Sequence, residues 1–345
     1  MNISGGAFLA ICFSVMLPGS VALASLPASG YHLISTVPLG AAPGEAEYFD
    51  YVTVDPVGRR VYIAHGTEVK VLDADKFTVL GSITGLQRCH GVALVPELNK
   101  GFVTDGDAGK VVVFDSKTLK TIGEIKTYPD TDSLTYDPSS KLLFTFNGDS
   151  KNASVIDPRK ETVIKTIDMG GGPEQPVADG KGKIYDNNEE TNEVVVIDTH
   201  ALIVTTRWST KPAGQAVALA LDIDHHRLFS AGRNPAALVM MDASSGKVLQ
   251  SFPIAAGVDA NIYDPATGFV FSSTRAGVLH VFHEDAPDTL TPVEEIKTEY
   301  GAKTMGLDPK THNLFLVTAD FTAPSGAKGD RKSIKGTARV LVYSR

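Results

Sequence analysis

Cysteine is almost missing from this sequence, which has only Cys12 and Cys89 in 345 residues. If a leader carrying Cys12 is removed, no intramolecular disulfide can form even in an oxidising compartment, so the core alone must supply stability. There is no Cys-x-x-Cys-His stretch for covalent haem and no glycine-rich fingerprint after a strand pattern for NAD. Charge is missing from the first 24 residues, which contain no Lys, Arg, Asp or Glu. Within them "AFLAICFSVML" is followed by Ala22-Leu23-Ala24, the small-x-small pattern of a secretory cleavage site. Residues 1–24 are therefore read as a signal peptide without the usual positive start, and the mature chain from Ser25 as periplasmic or secreted. The apolar run is too short to span a bilayer and no later run is longer, so a soluble product with no membrane span is expected. The formal net charge of −8 removes nucleic acid from the expected partners unless a local basic patch overrides the field.

What the sequence does have is repetition. "SLTYDPSSKLLFTFNG" (133–148) returns in variant form as "YVTVDPVGRRVYIAHG", "NIYDPATGFVFSST" and "MGLDPKTHNLFLVTA". A Val-rich segment recurs with its last residue at Asp73, Asp115, Asp157, Asp198, Asp242, His283 and Ser344, in steps of 42, 42, 41, 44, 41 and 61. A period near 42 means a stacked or radial array, here of seven units, the last with roughly 18 additional residues. Each unit reads as strand, Asp-Pro-type turn, strand, Asn/Gly turn, Val-rich strand, Asp-x-x-Thr turn and strand, a four-stranded antiparallel meander. Runs that are apolar on both faces, such as "VVVFD" and "LLFTF", suit sheets packed face to face around a ring. Unit seven stops at Arg345 after its third strand, whereas "YHLISTVPLG" (31–40) reads as a fourth strand with no unit before it. The expected fold is all-β: a seven-bladed β-propeller over 31–345, its last blade closed by the strand at 31–40 and carrying an insertion at 318–337. Closure of this kind removes the exposed sheet edges that a solenoid would have to cap.

"VYIAHG", "LFTFNG" and "LFLVTA", together with "VVVFDSKTLKTIGEIKT" and "VIDPRKETVIKTI", make the chain similar to the YVTN, or YncE-like, β-propeller family. The resemblance covers 31–345 and implies the propeller fold. It implies no particular reaction, because the motif is a structural repeat.

In an up-and-down blade the start of the first strand and the end of the second share one rim, opposite the Asp-Pro turns. Five residues before each Asp-Pro-type turn stand Asp50, His90, Asp132, Glu174, Val217, Asp259 and Lys303. Four carboxylates converging on a channel mouth would repel one another unless a cation, a proton or Lys303 compensates. Asp50, His90, Asp132, Glu174 and Asp259 are therefore the candidate ligands of a divalent metal, with a solvated rim as the competing reading. Oxygen donors suit hard ions, and one histidine shifts the preference toward Zn²⁺, Mn²⁺ or Fe²⁺. The second-strand ends are read as His65, Asp105, Asn147, Asn187, Arg233, Arg275 and Asp320. Asparagines there cap turns, while His65 and Arg233 join His90, Asp259 and Lys303 as candidate ligand-binding residues. Cys89 and His90 are neighbours in a strand and point to opposite sides, so they make no nucleophile–base pair. His225 and His226 fall on the far rim and are expected to be solvated. The insertion brings Lys328, Arg331, Lys332 and Lys335 to the same rim as the ring, as a surface loop or a basic lid.

Three functions remain open on these residues. The first is an exported monomeric propeller that binds a small ligand or divalent metal at an acidic channel mouth. The second is a metal-dependent propeller enzyme of lactonase, hydrolase or lyase type, drawing also on Asn147, Asn187 and Asn261. The third is a scaffold that docks another exported protein.

Overall fold

The computed structural model describes residues 1, 28–42, 47–325, 329 and 331–345. Residues 2–24 of the expected signal peptide, its expected cleavage point at Ser25, and Lys328 lie outside them. Seven four-stranded antiparallel sheets form a ring, and in six of them the strand order follows the chain. In the seventh, His32–Pro38 pairs antiparallel with the C-terminal Arg339–Ser344, with His32 opposite Ser344 and Pro38 opposite Arg339. The N-terminal strand thus closes blade seven. No helix among the described residues is long and apolar enough to cross a membrane.

Strands buried on both faces build the core. Val61 and Ile63 face Phe315, Val317 and Val342 of blade seven, while their neighbours Tyr62 and Ala64 face Val103 and Phe114 of blade two. The same division gives seven apolar clusters, each between two adjacent blades. Dispersion and burial therefore act mainly between blades, which is why the sequence alternates so little along the inner three strands.

Aspartates close the turns that follow the first strand and the third strand in most blades. Asp55 Oδ1 accepts the Val57 and Gly58 amides at 3.1 and 2.8 Å, and Asp115 Oδ1 accepts those of Lys117 and Thr118 at 3.1 and 2.7 Å. A side chain that mimics a backbone turn in this way explains the recurrent Asp of the repeat.

Candidate functional site

The innermost strands are Phe49–Asp55, Cys89–Val95, Thr131–Asp137, Pro173–Ala178, Ala216–Asp222, Val258–Asp264 and Thr304–Leu307. In the first six, the ladder to the second strand slips by one residue near its start, between Phe49 and Val52, Cys89 and Val92, Thr131 and Leu134, Pro173 and Pro176, Ala216 and Ala218, and Val258 and Ala260. Each slip is a β-bulge, and it holds Asp50, His90, Asp132, Glu174, Val217 or Asp259. A bulge leaves its extra residue unpaired and re-aims the side chain. Lys303 comes instead from the segment just before the seventh inner strand.

Apart from Val217, these side chains meet in a cavity of about 550 Å³ at the channel mouth, with Tyr48, Tyr51, Arg88, Asp130, Arg233, Gly257 and Arg275. On the side of blades one to three, His90 Nδ1 lies 2.8 Å from Asp50 Oδ2 and 2.9 Å from Asp132 Oδ1. The Tyr48 hydroxyl donates to Asp50 at 2.7 Å and sits 2.9 Å from the same ring nitrogen. Two buried atoms here lack hydrogen-bond partners: His90 Nε2, and Asp132 Oδ1, which is close to the imidazole but out of line for a bond. Gly106 makes room for the ring, since a Cβ there would lie 2.6 Å from His90 Nε2.

The electrostatics follow from this crowding. Burial disfavours the imidazolium, yet Asp132 and then Asp50 outweigh it and push His90 up to about 10. Burial would also raise Asp50, but the hydrogen bond and charge of His90 hold it below the usual carboxylate range. Asp132 stays raised because its own burial exceeds what His90 returns. Glu174, which has no ion pair among the described residues, is pushed well up by burial and then by Asp132. Behind it Asp186 is fully buried with both carboxylate oxygens unpartnered, and burial drives it up as well.

The opposite side of the mouth is cationic. Asp259 is clamped between Arg233 of blade five and Lys303 of blade seven, and Arg233 also reaches Glu189 at 3.6 Å. The expected acidic mouth is therefore corrected: five carboxylates face Arg88, Arg233, Arg275, Lys303 and His90. The arginines enter from second-strand ends and from the segment before a first strand, positions that a count along the first strands does not sample. Nor do the five expected metal ligands form one cluster. Asp50, His90 and Asp132 bring ligand atoms within 4.8 Å of one another, Asp259 is committed to two cations, and Glu174 is not part of the group.

His65 is on the predicted rim but fully buried, with Nε2 against Glu47, which also accepts the Gly336 amide. It anchors the described part of the insertion instead of lining the mouth. That insertion places Arg331 4.6 Å above the Tyr300 ring and bounds a second cavity of about 600 Å³, which shares Tyr48, Arg275 and Lys303 with the mouth and adds Lys332. The asparagines are occupied. Asn147 Nδ2 donates to Asn152 and Ser154 at 2.8 and 3.0 Å. Asn187 Nδ2 donates to the Ala218 carbonyl at 2.8 Å, and Asn261 Nδ2 to that of Phe229 at 3.0 Å. The position paired with the start of the inner strand is Asn188 in blade four, Gly232 in blade five and Thr274 in blade six, one residue off the expected Asn187, Arg233 and Arg275, and Asp320 lies beyond the second strand of blade seven, Leu314–Thr318. Cys89 is buried among apolar side chains on the other side of its strand from His90, and burial pushes its thiol up to about 12.

Tyr48, Tyr51 and Arg88 escaped the sequence reading because they flank the repeated positions without repeating themselves. Tyr51 lines the mouth and also a chamber of about 400 Å³ below it, walled by Val52, Val92, Leu134, Ile262 and Met305. It divides the channel into a polar and an apolar compartment.

Fold and site together define a seven-bladed β-propeller with a charged central mouth. No family model matches the chain. It is 24% identical over 253 residues, 66% of its length, to antigen Lp49 of Leptospira interrogans serogroup Icterohaemorrhagiae serovar copenhageni, and that match takes in 54% of the relative, about half. Among solved structures it is similar to a chain of the mitotic checkpoint complex, with a TM-score of 0.72 at 14% identity over 98% of this chain and 99% of that one. Hydrazine synthase of Kuenenia stuttgartiensis gives 0.67 at 14% identity over 92% and 98%. At such identities the likeness is one of fold.

Proposed function

We propose that the chain is an exported propeller of the YVTN type that binds a divalent ion at the channel mouth on Asp50, His90 and Asp132, together with an anionic group of a small ligand on the cationic side. The observation that carries this reading is a buried cluster of two carboxylates and an imidazole whose ligand atoms lie within 4.8 Å of one another, with His90 Nδ1 2.8 Å from Asp50 and 2.9 Å from Asp132. Two oxygens and one nitrogen suit Zn²⁺, Mn²⁺ or Fe²⁺, and leave coordination positions for water or ligand. Arg275 and Lys303, shared with the neighbouring cavity that Arg331 and Lys332 border, would receive a carboxylate or phosphate. Export rests on the leader-like residues 1–24, and the partial match to a Leptospira antigen agrees with it.

A metal-dependent hydrolase or lyase is the second reading. It is favoured by Tyr48 and Tyr51, phenols whose ionisation burial and then the neighbouring carboxylates oppose, so that both keep a proton to donate. The test is calorimetry on metal-stripped mature protein titrated with Zn²⁺, Mn²⁺ and Ca²⁺. His90→Ala and Asp132→Asn are expected to weaken the mouth ion 10-fold or more, about 1.4 kcal/mol per decade. If no ion shifts the melting curve and these variants match the wild type, the metal reading fails and docking of a protein on the rim takes its place.

A further inference from the structure

On the rim of the Asp-Pro turns, far from the mouth in the chain's architecture, Asp222, His225 and Glu284 bring a second pair of carboxylates and an imidazole within 4.8 Å of one another. Asp222 ends the inner strand of blade five, His225 lies in the turn that follows, and Glu284 comes from the third strand of blade six, Val278–Ala286. His225 Nδ1 is 2.6 Å from Asp222 Oδ2 and 3.9 Å from Glu284 Oε2. Asp222 is held in orientation through its other oxygen, which accepts the Asp224 and His225 amides at 3.0 and 3.3 Å.

Glu284 points to a ligand. Its side chain is 2% exposed, and neither carboxylate oxygen makes a hydrogen bond of good geometry, although the Tyr263 hydroxyl and Asp222 lie close to it. Burying a carboxylate with so little donor support is costly, and a second buried carboxylate beside it adds repulsion. The nearby Arg227 does not compensate, because it is bound to Asp242 and Asp288. Among the described residues, His225 is the one basic group in ion-pair range of Glu284.

We propose that this corner is a second divalent-cation site, taking a Zn²⁺- or Mn²⁺-type ion on Asp222, His225 and Glu284 and tying blade five to blade six. Donors at about 2.0–2.2 Å from one ion lie about 3 Å apart. The separations of 2.6 and 3.9 Å bracket that value, so small side-chain shifts complete the set. The half-exposed imidazole gives the ion a path in and leaves its outer positions to water. The site is independent of the mouth, which draws its ligands from blades one to three.

Native mass spectrometry and calorimetry of the metal-stripped full mature chain, titrated with Zn²⁺ and then Mn²⁺, test the proposal. Glu284→Gln and His225→Ala are each expected to weaken one ion at least 10-fold, and His90→Ala to leave that ion untouched. If the mouth binds nothing, the wild type still takes up one ion and loses it in Glu284→Gln. His225 lies on an exposed turn, so its variant should fold, and the metal-free melting curves provide the check. The proposal is overturned if the wild type and His225→Ala take up the same number of ions with the same affinity, or if the wild type takes up none.

Discussion

Arg59 reaches from blade one to the fully buried Asp308 side chain of blade seven and donates to both its oxygens, at 2.9 and 2.6 Å. Burial alone would raise the Asp308 carboxyl, but these hydrogen bonds, helped by Thr311, hold it below its usual range. A carboxyl depressed in the folded state adds stability above its unfolded pKa of about 3.9, and that stability is lost as pH falls through the folded value. Asp308→Asn should therefore cost about 2 kcal/mol at pH 7, with the gap to the wild type closing below about pH 4. Urea unfolding at pH 7 and pH 3 measures it; a gap of equal size at both pH values would contradict the ion-pair account. Ionisable residues were the most legible part of the site where they repeat. Asp50, His90, Asp132, Glu174, Asp259 and Lys303 were found by register alone, and all six line the mouth. Their partnerships were not legible, because whether Asp259 faces a metal or Arg233 depends on side chains from other blades.

At the level of the strand, Gly101 in Lys100–Asp105 has no unusual backbone angle to explain it. The Phe114 ring lies over its Cα, where a Cβ would fall inside the ring. Gly101→Ala should thus overpack the layer between blades and cost about 1–3 kcal/mol. Gly123→Ala, where a Cβ meets the movable end of Glu161 and touches Val113 Cβ at an ordinary 3.8 Å, should change the melting temperature little. A thermal melt of both variants decides it; equal losses would mean that chain flexibility, not the Phe114 contact, sets the cost. Strand existence and blade count were readable because the Asp turns repeat every 41 to 44 residues over most of the chain. The bulges were not, since an extra unpaired residue leaves no change in apolar pattern around His90 or Val217.

The whole ring depends on one non-local pairing. His32–Pro38 is largely exposed, but Val37 and the following Leu39 enter the apolar cluster between blades seven and one, and Leu39 N donates to Ala338 O at 2.9 Å. Deleting residues 31–40 should expose the Arg339–Ser344 edge and lower the melting temperature strongly or cause aggregation. Calorimetry with light scattering reads both, and a truncated chain that melts like the untruncated one would refute closure by this strand. The bulges have a different reach. Val217 occupies the same one-residue slip as Asp259 and Glu174, in a blade that pairs no differently from theirs. The side chain at each slip is thus uncoupled from the ladder that carries it. Six blades therefore offer interchangeable sockets around one opening, and recognition can be rewritten a blade at a time, by selection or by design, while the frame that holds them stays as it is.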